Sequence, residues 1–311
     1  NVLGKPMKEP QDVPFEKEGQ YLKSDNRSNI SYFLEHNVLL RRFTLSVGVL
    51  ANYNSALNEG IHFYPGIDAS YRIGDNFRLY GSWNRALRMP TFTDLYYEGK
   101  TNKGNPDLKP EESEAFEVGL KYNTYFLRAH IAGFYRKGKN MIDWVKEKPE
   151  DIWESQNLTK VDNLGFETNL SLLPRELGNE RFFIRKIELG YAFIHQDKDS
   201  EGYISNYALD YLKHKFTAQL SHSIWKGFSA TWYVRWQDRA GSYTKYENLK
   251  PAYEEPYAPY CLVDMKVNWE YQRLNLYAEL NNLLNSTYYD LGNIPQPGIW
   301  FKAGFRYSFK Y

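Results

Sequence analysis

Residues 298–311 read GIWFKAGFRYSFKY, and on a strand this stretch has two unlike faces. Phe301, Ala303, Phe305, Tyr307, Phe309 and Tyr311 fall on one side; Lys302, Gly304, Arg306, Ser308 and Lys310 fall on the other. Working back toward the start, the same alternation recurs. Leu45, Val47, Val49, Ala51 and Tyr53 oppose Thr44, Ser46, Gly48 and Asn52. Phe116, Val118, Leu120 and Tyr122 oppose Glu117, Gly119 and Lys121. Cys261, Val263, Met265, Val267 and Trp269 oppose Asp264, Lys266, Asn268 and Glu270. A Lys or Arg costs about 2–4 kcal/mol at the lipid midplane, so the polar faces must line a watery interior.

Composition narrows the class. The 311 residues include 27 Tyr, 18 Phe and 8 Trp, which suits aromatic girdles at two membrane interfaces. Mean hydropathy is −0.66, and no apolar run reaches the roughly 18–20 residues that a membrane helix needs. A net charge of +1 argues against a nucleic-acid partner. The single Cys261 excludes an internal disulfide and reads as a small apolar wall residue. No signal peptide is visible and residue 1 is Asn, so an exported protein would here be processed or incomplete.

The alternation predicts about thirteen antiparallel strands, near 29–37, 42–54, 63–73, 77–86, 113–123, 125–137, 163–174, 183–197, 213–223, 228–239, 260–270, 273–281 and 298–311. Short connections alternate with long polar ones at 55–62, 87–112, 138–162, 198–212, 240–259 and 282–297. In an outer-membrane barrel the short turns face the periplasm and the long loops face outward. Residues 1–28 then read as the remnant of an extracellular loop, and 29–311 as barrel. A chain that enters from outside and ends inside has an odd number of strands, whereas an all-antiparallel barrel closes with an even one. The expectation is an all-β transmembrane barrel of which this chain supplies only the C-terminal portion.

Residues 82–122 read SWNRALRMPTFTDLYYEGKTNKGNPDLKPEESEAFEVGLKY. They hold Arg88-x-Pro90, then Asp94-Leu95-Tyr96, then Gly104-Asn105-Pro106-x-Leu108-x-Pro110-Glu111, then a strand bearing Glu117. This pattern resembles TonB-dependent outer-membrane receptors. So do Asn281-Asn282-Leu283-Leu284-Asn285, Tyr288-Tyr289 and Pro295-Gln296-Pro297-Gly298 near the end. The resemblance runs from about Asn29 to the end and implies a barrel of about twenty-two strands. It also implies an N-terminal plug and a TonB box, neither of whose motifs is in this sequence. The motif residues read as structural, since Pro106 and Pro110 stiffen an extended hook at a loop base.

The resemblance implies energised uptake of a large scarce nutrient, with no catalytic residue, no metal site and no cofactor. Its partners would be the transported ligand, TonB through the missing N-terminal part, outer-membrane lipid and, as an accessory, a surface lipoprotein lid. Loop aromatics are the candidate ligand contacts: Trp144, Trp153, Tyr203, Tyr207, Tyr243, Tyr246, Tyr253, Tyr288 and Tyr289, with Tyr257 nearby. Haem receptors of the family carry a His between the two Pro-bearing elements, and 91–104 holds none. His62, near a loop end, is the one His placed to act as a ligand. Mixed loop charges and a final loop similar to that of cobalamin receptors put cobalamin first and a ferric siderophore second. Two other classes make demands that this sequence does not meet. A barrel enzyme needs a His–nucleophile pairing, which no motif supplies. A soluble carbohydrate-binding sandwich predicts loops of even length at both ends.

Overall fold

A computed structural model describes residues 20–21, 26–55, 60–148, 150–178, 181–199, 202–205, 211–247, 250–292 and 294–309. Thirteen long strands make the wall: β1 (Asn29–Leu39), β2 (Phe43–Asn54), β3 (Ile61–Ile73), β4 (Phe77–Arg88), β5 (Glu111–Asn123), β6 (Leu127–Lys146) and β7 (Trp153–Leu172). The wall continues through β8 (Ile184–Asp199), β9 (Leu212–Trp225), β10 (Phe228–Arg239), β11 (Tyr260–Tyr271), β12 (Leu274–Asn281) and β13 (Trp300–Tyr307). Each pairs antiparallel with the next. Among the described residues β1 pairs only with β2, and β13 only with β12. The sheet is therefore open at both edges in this chain.

Period-2 alternation decides which face meets lipid. Phe116 and Val118 stand 45% and 59% exposed on the apolar face, as do Phe301 and Phe305 at 61% and 74%. The opposite face is concave. Lys121, Arg128, His130, Asn169, Gln219 and Arg235 line one hollow of about 700 Å³ there. Glu117 shares Lys121's face by register, so both charges point to the lumen. The Lys121 ammonium lies 4.6 Å from the Tyr80 ring centroid, and the Tyr80 hydroxyl meets His130 Nε2 at 2.7 Å. Gly119 makes room for that ring: a Cβ there would come within 2.5 Å of it.

Tight turns close the end expected to be periplasmic. Gly74 and Gly227 adopt φ of +63° and +75° in two of them, a region where glycine carries no Cβ penalty. Two strands outrun their expected bounds. Residues 138–162, read as a loop, are mostly the upper parts of β6 and β7, joined by 147–152 alone. The sequence of 138–146 does not alternate, and Asn140 takes a left-handed backbone (φ 52°) while the register with β7 continues across it, so the extension does not read as a strand. Residues 240–259 likewise contain a hairpin, Ser242–Glu247 with Lys250–Pro256. Of the stretch 1–28, residues 1–19 and 22–25 lie outside the described residues, while Gln20–Tyr21 pairs with Tyr97–Glu98 at the mouth.

Candidate functional site

The long-loop end of the wall carries two built structures. The first grows from the top of β4 and β5, where Arg88 sits directly across from Glu111. Arg88 grips the carboxylate with two nitrogens, Nη2 at 2.6 Å from Oε1 and Nε against Oε2. Glu111 is buried and its Oε1 also accepts the Ile142 amide at 2.8 Å, whereas Arg88 is half exposed. Beyond Pro90, whose carbonyl accepts from Arg27 at 2.8 Å, Thr91 caps the short helix α1 (Phe92–Tyr96). The cap is reciprocal: Asp94 N–H donates to Thr91 Oγ1 at 3.1 Å and Thr91 N–H to Asp94 Oδ2 at 2.9 Å.

Leu95 of that helix is buried, and Tyr96 stacks on Phe92. Gly104 passes so close behind that a Cβ would meet the Leu95 and Tyr96 backbone at 2.8 Å. The Asn105 amide donates to Asp94 O at 2.8 Å, and its side chain turns the chain by accepting from Asp107 N at 2.9 Å. Between Pro106 and Pro110, Leu108 is buried and Asn157 of β7 brackets Lys109, accepting from its N–H at 2.8 Å and donating to its carbonyl at 2.9 Å. Apart from Glu117, which lies lower on the lumen face, the motif residues thus meet in one knot.

Against this knot the extended tops of β6 and β7 bury Asp143, Val145 and Ser155 almost completely. Asp143 accepts from Ser205 Oγ and lies 3.9 Å from Lys198 Nζ. Trp144 is buried here and so is packing rather than open surface. Trp153 lies beneath the Lys146 ammonium, 4.5 Å from its ring centroid. Tyr203, half-buried, belongs to the segment that pairs with the end of β6. Tyr207 lies outside the described residues. His62 opens β3 opposite Asn52, and its Nε2 is buried with no hydrogen-bond partner among the described residues.

The second structure is aromatic. Tyr243 is buried with its ring 5.2 Å from both Tyr257 and Tyr289, the latter stacked at 26°. Tyr288 packs on Tyr260 at 4.6 Å, and the Tyr260 hydroxyl reaches Gln237 Oε1 and Asp290 Oδ1. Two lumen-facing arginines lean on these rings: Arg239 on Tyr257 at 5.5 Å and Arg235 on Tyr260 at 6.0 Å. Tyr253 stands 52% exposed on the hairpin above, whose other strand carries Tyr246. Burial first, and then the nearby Glu255 carboxylate, push the Tyr243 phenol above its ordinary range. Glu255 is itself tied to Lys245 at 2.6 Å, a bond that raises the lysine.

The 281–285 element locks the loop beneath. Asn282 and Asn285 take left-handed φ of 51° and 49°. Asn282 N–H donates to Asp264 at 2.7 Å, and Asn285 Oδ1 accepts from Ile299 N–H at 3.0 Å. Tyr260, Arg235 and Arg239 join the site from the wall and lie outside the loop aromatics that the sequence points to. Their lumen parity on β10 and β11 was the available signal. Flat rings, guanidinium groups and amides together suit a large ligand with apolar faces and a few acceptors. No cluster of three or more His, Cys, Asp or Glu able to hold a metal ion occurs among the described residues.

Residues 8–283 match the family model described as TonB dependent receptor-like, beta-barrel. The vitamin B12 transporter BtuB of Vibrio vulnificus is 26% identical over 225 residues, which is 54% of this chain and 36% of that protein. The ferrienterobactin receptor of Escherichia coli is 22% identical over 297 residues, 86% of this chain and 38% of that protein. Among solved structures, the ferric enterobactin receptor PfeA of Pseudomonas aeruginosa superposes with a TM-score of 0.71 at 19% identity. That match covers 98% of this chain and 48% of the other. The chain thus spans roughly a third of the curated relatives' length and about half of the solved structure.

Proposed function

This chain belongs to the TonB dependent receptor-like β-barrel family, and we propose that it serves the TonB-energised uptake of cobalamin across the bacterial outer membrane. The outer-membrane setting follows from the family and from the apolar band of the wall. The observation that carries the ligand reading is the aromatic mouth: stacked Tyr243 and Tyr289, with Tyr257, Tyr260 and Tyr288, above a polar lumen. A corrinoid offers a broad flat body ringed by amides, which tyrosine faces and amide side chains can hold. Two vitamin B12 transporters among the relatives support this reading. Cobalt would arrive as part of the cargo and needs no protein ligand here.

In this proposal the chain is the C-terminal part of the barrel, residues 1–28 belong to an outer loop, and a plug and TonB contact come from sequence outside it. Arg235 and Arg239 favour a second reading, because paired guanidiniums beside rings also suit an anionic ferric siderophore. The relatives that take iron carriers point the same way. Titration of the intact receptor with cyanocobalamin and with a ferric catecholate siderophore separates the two. Saturable cobalamin binding tighter than about micromolar supports the first. Tight siderophore binding with no cobalamin binding transfers the assignment to the second.

A further inference from the structure

The turn between β7 and β8 gathers positive charge that no acid answers. It opens with a short 3-10 helix, Pro174–Leu177, and Arg175 of that helix folds back across the turn. Its Nε donates to the Phe182 carbonyl at 2.9 Å and its Nη2 to Ser223 Oγ at 2.6 Å. Arg185, at the start of β8, donates from Nε to the same Ser223 Oγ at 2.9 Å. Ser223 is held there by its own N–H, which donates to the Phe183 carbonyl at 2.7 Å. Two guanidinium groups thus meet on one neutral oxygen at the foot of β9. Ser223 has the strand parity of Gln219, which lines the lumen hollow, so the cluster lies on the inner side of the rim and away from lipid.

Like charges drawn together repel unless an anion lies between them. Neither arginine has a carboxylate within ion-pair reach among the described residues. Glu188 is held by Lys186 at 2.8 Å, and Glu176 makes no ion pair there although it follows Arg175 in the chain. Arg185 keeps both Nη groups, and Arg175 its Nη1, without a hydrogen-bond partner among the described residues. Planar forks anchored through Nε present these groups as a seat for one carboxylate. Leu177 and Phe183, 58% and 57% exposed, stand two residues along the chain from Arg175 and Arg185, so the seat has apolar flanks. A polypeptide acid between apolar side chains uses both features, whereas a small free anion would use the charge alone. We propose that Arg175, Arg185 and Ser223 form a clamp at the turn-end rim for an aspartate or glutamate of a periplasmic partner protein. The clamp lies at the opposite end of the wall from the aromatic mouth, so it rests on the proposed orientation of the barrel and not on the cobalamin assignment.

The test is fluorescence anisotropy of the intact receptor in detergent, with a dye-labelled Leu-Glu-Phe-Glu-Leu peptide and its glutamine counterpart. The wild type should bind the acidic peptide saturably and the glutamine peptide about tenfold more weakly. Arg175→Gln combined with Arg185→Gln should weaken binding of the acidic peptide about tenfold. Cyanocobalamin titration of the same samples should not respond to the arginine variants, so failure at one end of the wall is told from failure at the other. Should the double variant fail to fold, Arg185→Lys, which keeps the charge and loses the fork, should weaken peptide binding about threefold. Arg78→Gln, two turns away on the same rim, should leave it unchanged. Equal binding of the two peptides, binding unmoved by the arginine variants, or full displacement of the peptide by an equimolar amount of inorganic phosphate overturns the proposal.

Discussion

The knot at 88–111 and the tyrosine cluster of the last two long loops cap the same wall, yet they are held by different forces. The knot is tied by directional bonds, most of them to backbone: a capping box, an Asx turn, an Asn157 clasp and, between side chains, a buried carboxylate gripped by Arg88. Each such bond has one good geometry, so the knot is a rigid part. The cluster is held by ring contacts of 4.6–5.2 Å, which tolerate sliding and leave faces open for another flat group. The proposed uptake role uses both, a fixed frame for the loop base and a surface that can re-pack around cargo.

The sharpest way to break this contrast is Gly104→Ala. Its Cβ would strike backbone rather than a movable side chain, so the knot should lose about 3 kcal/mol and become cleavable within 89–110 by limited proteolysis. The tyrosine cluster should stay intact, and equal cleavage of 240–259 would show the two parts to be one unit. Arg88→Ala should cost about 2 kcal/mol in thermal unfolding, because it leaves the buried Glu111 carboxylate with the Ile142 amide alone. Glu111→Gln, which keeps an acceptor for that amide, should cost less. Tyr289→Leu removes a stacked ring worth about 0.5–1.5 kcal/mol. It should weaken ligand binding about fivefold while the melting temperature holds; an unchanged Kd would remove the cluster from the site.

The smallest effect is a pH response confined to the cluster. The folded state raises the Tyr243 phenol above its ordinary value of 10.0, so it favours the neutral form. The stabilisation this linkage supplies is complete below about pH 10 and is lost as pH rises through the higher folded value. Tyr243→Phe should remove one phenol from the late-titrating part of the phenolate absorbance curve. Proteolysis of 240–259 should begin over the same pH range, before that of 89–110.

The wall was legible because a strand between lipid and water must alternate. All thirteen long strands fall where the two-faced segments lie, from the β2 face of Leu45 to Tyr53 to the last run at Phe301 to Tyr307. The motif at 88–111 was legible as a resemblance, and its prolines announced a stiff hook. The upper halves of β6 and β7 were not, because above the membrane no lipid enforces alternation, and the polar and apolar residues of 138–146 fall in no period of two. Nor could the linear order show that Trp144 turns inward while Tyr243 meets Tyr289. Local pattern acts over two residues, and the sequence alone therefore determined the wall, its lipid face and its turn end. Which loop residues meet is decided by the register and curvature of strands that carry distant segments to one mouth. Tyr260, Arg235 and Tyr289 come together only there, so only the tertiary structure decided the candidate site.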